Sequence, residues 1–197
     1  MRSGLARRHV LKVGAGALAG LALPRIATGQ EALALTPQCE GKAAITGAQT
    51  EGPFFKQKSP LLSDLRQGGL KGETVILAGL VLTRDCRPVA GALVDLWHAD
   101  AKGDYDNRGF RGRGHQFTDA AGRYRFVTVL PARYTGRTRH FHVKVQAENG
   151  PVLTTQLYFP NEAGNARDPL FQRQLLMTTT RNGSDRLARF DFVIERA

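Results

Sequence analysis

The sequence is poor in the residues and motifs on which several common functions depend. Its only cysteines are Cys39 and Cys86, and they do not form the closely spaced pairs of a structural zinc site. It also has no HExxH motif, no glycine-rich phosphate-binding loop, no nucleophile elbow and no alternation of strands with helices. These absences argue against a structural zinc site and against an α/β fold.

The sequence also lacks an apolar run long enough for a comfortable membrane span, which needs about 20 residues. Its apolar run Val13–Leu23 is short, follows Arg7 and Arg8, and precedes a stretch of small residues. This order is typical of an export signal, and the paired arginines resemble a twin-arginine signal. We therefore expect residues 1–29 to be removed, leaving a periplasmic or extracellular protein with no stable membrane span. An amphipathic or buried N-terminal helix is the alternative.

Positive charge is in excess but is not concentrated. The formal net charge is +11, and removal of residues 1–29 leaves 23 basic and 17 acidic residues, a net charge of +6. No basic helix or alternation of basic with aromatic residues gathers this charge, so we expect no nucleic-acid partner. A modest positive excess instead favours anionic small molecules by steering.

Both cysteines follow the predicted signal. Because an exported protein meets an oxidising compartment, one disulfide between Cys39 and Cys86 is one possibility, and two free buried thiols are the other. The disulfide would tie the N-terminal extension to the first pair of strands.

The rest of the chain divides by composition into an arm and a domain. Residues 30–72 are rich in Gly, Pro, Gln and Lys without a clear period, which predicts an extended, loop-rich N-terminal arm. Residues 73–197 contain short β-branched or alternating runs between turn-prone segments, which predicts an all-β domain, an antiparallel β-sandwich. A short C-terminal helix is predicted from Asp168 to Leu176, with Pro169 in its first position.

The predicted strands include one local pairing. Residues 116–118 and 123–127 flank the segment DAAG, which predicts a hairpin around a four-residue turn. The other predicted strands are residues 74–83, 92–97, 140–146, 152–159 and 187–194.

One predicted strand carries two histidines on the same face. Side chains alternate along a strand, so His140, His142 and Lys144 face one way and Phe141 and Val143 face the other, toward the core. Two imidazoles on one face can bind one metal ion, or they can be ordinary polar residues on a solvated face.

Tyrosine supplies further candidate ligands. Tyr134 precedes His140 by six residues across a turn that contains Gly136, and this turn could bring the phenol back toward the imidazoles. Phenolate is a hard anionic ligand that suits a ferric ion, and its formation needs the charge of the metal because a free phenol has a pKa of about 10. Two tyrosines and two histidines would leave Fe(III) able to take one hydroxide or a dianionic chelate.

Longer motifs resemble one enzyme family. The runs VDLWHADAKGDY and FTDAAGRYRFVTVLPARYTGRTRHFHVKV, together with TEGPFF and TTQLYF, are similar to the intradiol ring-cleavage dioxygenases, in the protocatechuate 3,4-dioxygenase-like branch. The likeness covers roughly residues 45–160, and the final strand fits it. The motif Y-x-G-R-T-x-H-x-H is long enough to be specific, whereas H-x-H alone is not.

The resemblance implies a cofactor, a reaction and a set of site residues. It implies a non-haem Fe(III) enzyme of aromatic compound catabolism that uses O2 to open a catechol ring between its two hydroxyl-bearing carbons, giving a cis,cis-muconate type product. Arg137 would stabilise charge on the substrate, Gln156 would lie near it, and Tyr134 would leave the metal and act as the base. The implied iron ligands are Tyr105, Tyr134, His140 and His142.

This chain departs from the branch pattern beside the implied ligands. Ala132-Arg133 stands where Pro-Gly-Trp-like residues are common, and Thr135 and Arg139 stand where prolines are common. No departure removes an implied ligand. The arginines of the loop 108–113 suggest that the ring of the substrate is carboxylated or otherwise anionic.

A second resemblance is to a different class of protein. The run GLVLTRDCRPVAGALVDL also resembles transthyretin-like and carboxypeptidase-regulatory-like β-sandwich modules, which are non-catalytic. Such a module has no need of Tyr105, Tyr134, His140 and His142 together, so these residues favour the enzyme. The sequence leaves the oligomeric state open, a homo-oligomer included.

Overall fold

The structure is a computed structural model that describes residues 43–134 and 136–195. Within these residues the chain forms nine β-strands and two short 3-10 helices. None of the helices in this described part has the length and hydrophobicity that crossing a membrane requires. The strands are β1 (Thr74–Thr83), β2 (Leu93–Trp97), β3 (Arg113–Phe117), β4 (Arg123–Val129), β5 (His140–Gln146), β6 (Leu153–Tyr158), β7 (Thr178–Asn182), β8 (Asp185–Arg189) and β9 (Phe192–Ile194). The 3-10 helices are Asn165–Arg167 and Arg173–Leu175.

The strands form two sheets, which confirms the predicted all-β sandwich. In the antiparallel sheet the order is β3-β2-β5-β6, and every neighbouring pair is antiparallel. In the mixed sheet the order is β4-β1-β8-β7, and β9 also pairs with β1. The pairings of β1 with β8 and with β9 are parallel.

One hydrophobic core lies between the sheets because the strands alternate as the sequence predicts. Phe141, Val143 and Val145 of β5 are buried in the same cluster as Val75 and Leu77 of β1. Burying a side chain of this kind contributes about 1.5–3 kcal/mol. The other face of β5 carries His140 and His142, and this face is therefore the outer face of the antiparallel sheet.

The predicted hairpin is wrong, because its two strands belong to different sheets. β3 pairs with β2, whereas β4 pairs with β1. The turn between them is well formed, since the Asp119 carboxylate accepts hydrogen bonds from the backbone N–H groups of Ala121 and Arg123. Turn chemistry of this kind serves a crossover between sheets as well as a hairpin, so the local sequence did not distinguish them.

The segment predicted as a C-terminal helix forms only one turn of 3-10 helix, Arg173–Leu175. Asp168 is not the N-cap of an α-helix. Its carboxylate instead accepts hydrogen bonds from the Arg137 guanidinium and from the backbone N–H groups of Thr138 and Leu170. The local sequence predicted a helix here, but Asp168 instead binds Arg137, which is 31 residues away in the sequence.

The predicted final strand, residues 187–194, is divided into β8 and β9 at Phe190 and Asp191. The Phe190 backbone crosses very close to β1, where a Cβ on Gly79 would lie only 1.8 Å from the Phe190 carbonyl oxygen. The Asp191 side chain accepts a hydrogen bond from the Leu80 N–H and so replaces one bond of the ladder. β7 was not predicted from the sequence.

The described part of the arm, residues 43–72, forms isolated bridges and no named strand. Backbone hydrogen bonds tie it to both sheets, through Thr46 to Val193, Gln49 to Thr154, and Leu65 to Val127. The predicted signal and Cys39 lie outside the described residues. Cys86 is disulfide-bonded, and its pairing with Cys39 stays a prediction.

Candidate active site

The centre of the candidate site is the pair of histidines on β5. His140 and His142 are only 3% and 1% exposed, which decides against a solvated strand face. Their Nε2 atoms lie 3.1 Å apart. The His140 Nδ1 lies 2.7 Å from the Thr138 carbonyl oxygen. Since a carbonyl only accepts, Nδ1 carries the proton and Nε2 presents its lone pair to the site.

Burial keeps both imidazoles neutral. It lowers the pKa of His140 to about 4 and lowers the pKa of His142 well below its usual value. The neutral form is the one that binds metal ions. The His142 ring is held by stacking on Trp97, with ring centroids 5.0 Å apart and planes inclined by 10°.

The structure brings two tyrosines to this pair from two loops. Tyr105 lies between β2 and β3, and its ring centroid is 6.2 Å from that of His142. Tyr134 lies between β4 and β5, and its ring centroid is 5.6 Å from that of His140. The two phenol rings are 5.7 Å apart. The four residues proposed from the sequence as ligands therefore form one cluster.

The environments of the two tyrosines differ. Tyr105 is stacked under Phe54 of the arm, with ring centroids 4.3 Å apart. Its buried hydroxyl has no hydrogen bond of ordinary length among the described residues, and burial, with the neighbouring Tyr134 phenol as the next cause, raises the pKa of this phenol well above its usual value. Tyr134 borders a cavity of about 340 Å³, and its hydroxyl lies 3.5 Å from Nη1 of Arg137.

The predicted turn at Gly136 is present, and it places Arg137 beside Tyr134. The Arg137 N–H donates to the Tyr134 carbonyl oxygen at 2.8 Å, and Gly136 has a φ of 74°, which favours glycine. The guanidinium Nε lies 3.0 Å from both carboxylate oxygens of Asp168. Burial alone would lower the pKa of Arg137, but the hydrogen bond and charge of Asp168 outweigh it and raise that pKa.

Gln156 connects Arg137 to the arm. Its side-chain oxygen accepts a hydrogen bond from Arg137 Nη2, and its Nε2 donates to the Thr50 carbonyl oxygen at 2.9 Å. Gln156, His142 and Trp97 occupy one row across β6, β5 and β2. The register of the antiparallel sheet therefore aligns this glutamine with the histidine pair.

The arm is part of the site. Besides Phe54 over Tyr105, Phe55 packs against Trp97 with ring centroids 4.9 Å apart. Gly52, with a φ of 69°, passes so close that a Cβ there would lie 3.4 Å from His142 Cε1. The sequence analysis did not predict the contacts of Phe54 and Phe55. The motif TEGPFF, which contains both residues, was part of the resemblance to the enzyme family.

Two arginines of the loop 108–113 hold the loop and the arm, and the preference for an anionic ring that the sequence suggested stays a prediction. Arg113 is buried and donates to the carbonyl oxygens of Phe54 and Asp106, and Arg111 forms an ion pair with Asp106. These groups fix the loop and the arm. Neither arginine lines the cavity beside Tyr134.

The donor set fits a metal ion. The described residues contain no group of three or more His, Cys, Asp or Glu residues that could hold a metal ion, so the candidate ligands are two imidazoles and two phenols. The Nε2 atoms of His140 and His142 lie 3.1 Å apart, and the buried Tyr105 hydroxyl supplies an oxygen donor without a hydrogen bond of ordinary length among the described residues. Leaving a buried polar atom unpaired costs about 1–3 kcal/mol. A cation among these atoms would satisfy the convergent oxygen and nitrogen donors, a set that suits iron.

Comparisons with known proteins agree with this geometry. The profile of the Dioxygenase_C family, described as dioxygenase, matches residues 50–195. The protocatechuate 3,4-dioxygenase β chain of Burkholderia cepacia is 33% identical over 148 residues, which cover 66% of this chain and 62% of that relative. A chlorocatechol 1,2-dioxygenase of Pseudomonas sp. strain P51 is 31% identical over 182 residues, which cover 75% of this chain and 69% of that relative. The match to the first relative thus spans under two thirds of its length.

Solved structures give the same result. The dioxygenase domain of a dioxygenase and carbohydrate-binding protein fusion from Streptomyces sp. SirexAA-E is 47% identical with a TM-score of 0.76, covering 78% of this chain and 100% of that domain. The 3-chlorocatechol 1,2-dioxygenase of Rhodococcus opacus 1CP is 27% identical with a TM-score of 0.69, covering 76% of this chain and 72% of that one. These matches favour the dioxygenase family over a non-catalytic transthyretin-like module. The chain belongs to the Dioxygenase_C family of intradiol ring-cleaving dioxygenases.

Proposed function

We propose that this protein is a non-haem Fe(III) intradiol dioxygenase that cleaves a catechol-type ring between its two hydroxyl-bearing carbons, giving a cis,cis-muconate type product. The observation that carries the proposal is the convergence of His140, His142, Tyr105 and Tyr134 in one buried cluster beside a cavity. These four residues would hold the ion. When bound, ferric iron supplies the Lewis-acid and redox chemistry through which a catecholate reacts with O2.

The two tyrosines have different roles in this proposal. Tyr105 is fixed under Phe54, with the Arg113 guanidinium 5.9 Å from its ring centroid. Tyr134 borders the cavity, and its phenol is therefore the one that a substrate in the cavity would reach. Its phenolate would then accept a proton from a catechol hydroxyl, as a general base.

Arg137 places positive charge at the wall of the same cavity. Asp168 and Gln156 fix its guanidinium from two sides, so no reorganisation is needed when negative charge develops on the ring and on oxygen. Phe54, Phe55 and Trp97 cover the cluster and exclude water from it. The reaction combines the catechol and O2 in one product, so it requires no other reductant.

The test is the fate of the two oxygen atoms. The iron-loaded protein is incubated with catechol under isotope-labelled O2, and the product is examined by mass spectrometry. We expect one labelled atom in each of the two new carboxyl groups of an opened ring. Unchanged catechol, or oxidation to a quinone without incorporation, would contradict the proposal.

We also propose that residues 1–29 direct twin-arginine export, on the basis of Arg7, Arg8 and the short apolar run that follows. Folding and iron loading would then precede export. A reporter fused to residues 1–35 should lose export when Arg7→Lys and Arg8→Lys are combined. Unchanged export of the double variant would contradict this route.

A further inference from the structure

The arm and the loop between β2 and β3 are joined by two cations, one from each side. At the end of the loop, Arg113 Nη1 donates to the Phe54 carbonyl oxygen of the arm at 2.6 Å. From the arm, Lys56 Nζ donates to the Gly109 carbonyl oxygen of the loop at 2.6 Å. Each segment therefore supplies a cationic donor to backbone acceptors of the other segment.

Arg113 is the more deeply buried of the two cations, with only 1% of its surface exposed. Its Nε also donates to the Asp106 carbonyl oxygen of the loop, at 3.2 Å. Among the described residues it forms no ion pair with a carboxylate, and its Nη2 has no hydrogen-bond partner. An arginine is almost never fully buried without a paired charge, and the partners that this one has are backbone carbonyls of two different segments.

The shape of the guanidinium allows one side chain to hold two segments. Its N–H groups form a rigid planar fork, whereas a lysine ammonium is a compact point charge on a flexible stem. In Arg113 the Nη1 branch of the fork binds the arm, and Nε binds the loop. A lysine at this position would keep the charge without reproducing both contacts together.

Tyr105 is in contact with both of the segments that Arg113 binds. It precedes Asp106 in the loop, and the Phe54 ring of the arm stacks on its ring with centroids 4.3 Å apart. The guanidinium carbon of Arg113 lies 5.9 Å from the centroid of the Tyr105 ring. One side chain thus fixes both the loop that carries this candidate ligand and the residue that covers it.

The same part of the arm covers the only tryptophan of the chain, Trp97. Phe55, the residue after Phe54, packs against Trp97 with ring centroids 4.9 Å apart. Trp97 is 1% exposed and in turn stacks on His142. If this part of the arm is released, Trp97 loses the ring that covers it, so the exposure of Trp97 reports whether the arm is seated.

We propose that Arg113 is a positioning residue for the proposed reaction. Its guanidinium fork seats the arm on the site and thereby holds Tyr105 where this phenol can bind the ion. The proposal rests on the proposed function, since it takes Tyr105 as a ligand of the ion. Arg113 does not line the cavity beside Tyr134, so it acts through the residues that it holds. The arm then becomes a required part of the site, because the loop alone lacks the contact with Phe54.

The first measurement is the quenching of Trp97 fluorescence by acrylamide, a neutral quencher, in the purified protein before metal is added. In Arg113→Met we expect the Stern–Volmer constant to rise at least about threefold, because local opening of the arm exposes Trp97. Arg113→Lys should also raise it, since lysine keeps the charge without the fork. The control is Arg186→Met, which breaks the pair between Arg186 Nε and Glu73 on the mixed sheet, 3.0 Å apart, and should leave the constant unchanged.

Circular dichroism establishes that each variant is folded. A constant that stays within about 1.5-fold of the unaltered value in both Arg113 variants, or that rises equally in the control, overturns the proposal. Unaltered quenching in Arg113→Lys alone also overturns it, because the charge would then suffice without the fork. If Arg113→Met does not fold, Arg113→Lys, which keeps the charge and a long stem, decides the question.

The second measurement connects the seating of the arm to Tyr105. In the ferric protein without catechol, the tyrosinate-to-iron charge-transfer band should change its position in Arg113→Lys but not in Arg186→Met. In the same variant kcat should fall about tenfold with little change in KM, because an outer partner that orients a ligand is lost. A band and a kcat equal to those of the unaltered protein, in a variant whose arm is loosened, overturn the positioning of Tyr105.

Failure of the proposal can be separated from failure of the proposed function. If the unaltered ferric protein has neither the band nor turnover, the proposed function is wrong. The quenching of Trp97 is measured without metal, so it still decides whether Arg113 seats the arm.

Discussion

The outer faces of the two sheets differ in what covers them. On the antiparallel sheet, Trp97, His142 and Gln156 lie in one row beneath the arm and are almost fully buried. On the mixed sheet, Arg123 and Arg125 of β4 are exposed. Both sheets contribute their inner faces to one core. The alternation of side chains along the strands gives each sheet one apolar face, and these two faces form the shared core. The arm covers only one of the two outer faces and makes it a buried polar site.

The largest effect is expected when the covered face loses its central ligand. His142→Ala removes one of the converging nitrogens, so iron content and ring cleavage should fall to background while the fold is retained. Metal analysis, turnover assays and circular dichroism measure the three quantities. Arg125→Ala, on the exposed face of the mixed sheet, is the control and should change none of them. Full turnover by the His142 variant would contradict the site.

The inner face of the same strand should affect stability. Phe141→Ala leaves a cavity in the shared core and should lower the free energy of unfolding by about 3–5 kcal/mol in urea titration. Phe117→Ala removes an exposed ring, 55% accessible, and should cost less than about 0.5 kcal/mol. Equal costs at the two positions would show that the core is not where the structure places it.

The buried ion pair beside the site should be more important for activity than an exposed one. Asp168→Asn removes the charge that fixes Arg137, and kcat should fall about 10–100-fold with iron content unchanged. Asp64→Asn breaks the Asp64–Arg66 pair near the mixed sheet, at 2.8 Å and partly exposed, and should have almost no effect. An equal fall in kcat in both variants, or a loss of iron from the Asp168 variant, would contradict the positioning role of Asp168.

A smaller effect is expected where the mixed sheet is most crowded. Gly79→Ala places a Cβ against the Phe190 carbonyl oxygen, so the free energy of unfolding should fall by about 1–3 kcal/mol. Since Gly79 lies on the mixed sheet and the candidate ligands His140 and His142 lie on the antiparallel sheet, activity of the folded fraction should persist. A variant as stable as the unaltered protein would show that the Phe190 backbone, between β8 and β9, does not pass as close to Gly79 as the structure places it.

The sequence predicted the features that depend on short-range patterns. Alternation placed His140 and His142 on one face of β5 and Phe141 on the other, and the turn that contains Gly136 was expected to bring Tyr134 toward the imidazoles, where its ring centroid lies 5.6 Å from that of His140. The roles of the ligands, of Arg137 and of Gln156 stay predictions, because their contacts describe proximity and hydrogen bonding, not catalysis.

The features that the sequence did not predict depend on distant partners. In the local sequence Asp168 resembles a helix N-cap, but in the structure its carboxylate binds Arg137, 31 residues away. The turn at Asp119 resembles a hairpin because its hydrogen bonds are local, while the sheet that each strand joins is decided by the core. The Thr138 hydroxyl donates a hydrogen bond to the side-chain oxygen of Asn165, 27 residues away, and so joins two loops that the sequence treats separately.

The most direct test is the visible absorption spectrum of the purified protein after ferric loading, recorded without O2 before and after catechol is added. The proposed centre predicts a coloured protein with one iron per chain and a tyrosinate-to-iron charge-transfer band. That band should shift when catechol binds and displaces Tyr134. A colourless protein that retains no iron would contradict the ferric centre and would return His140 and His142 to a structural role.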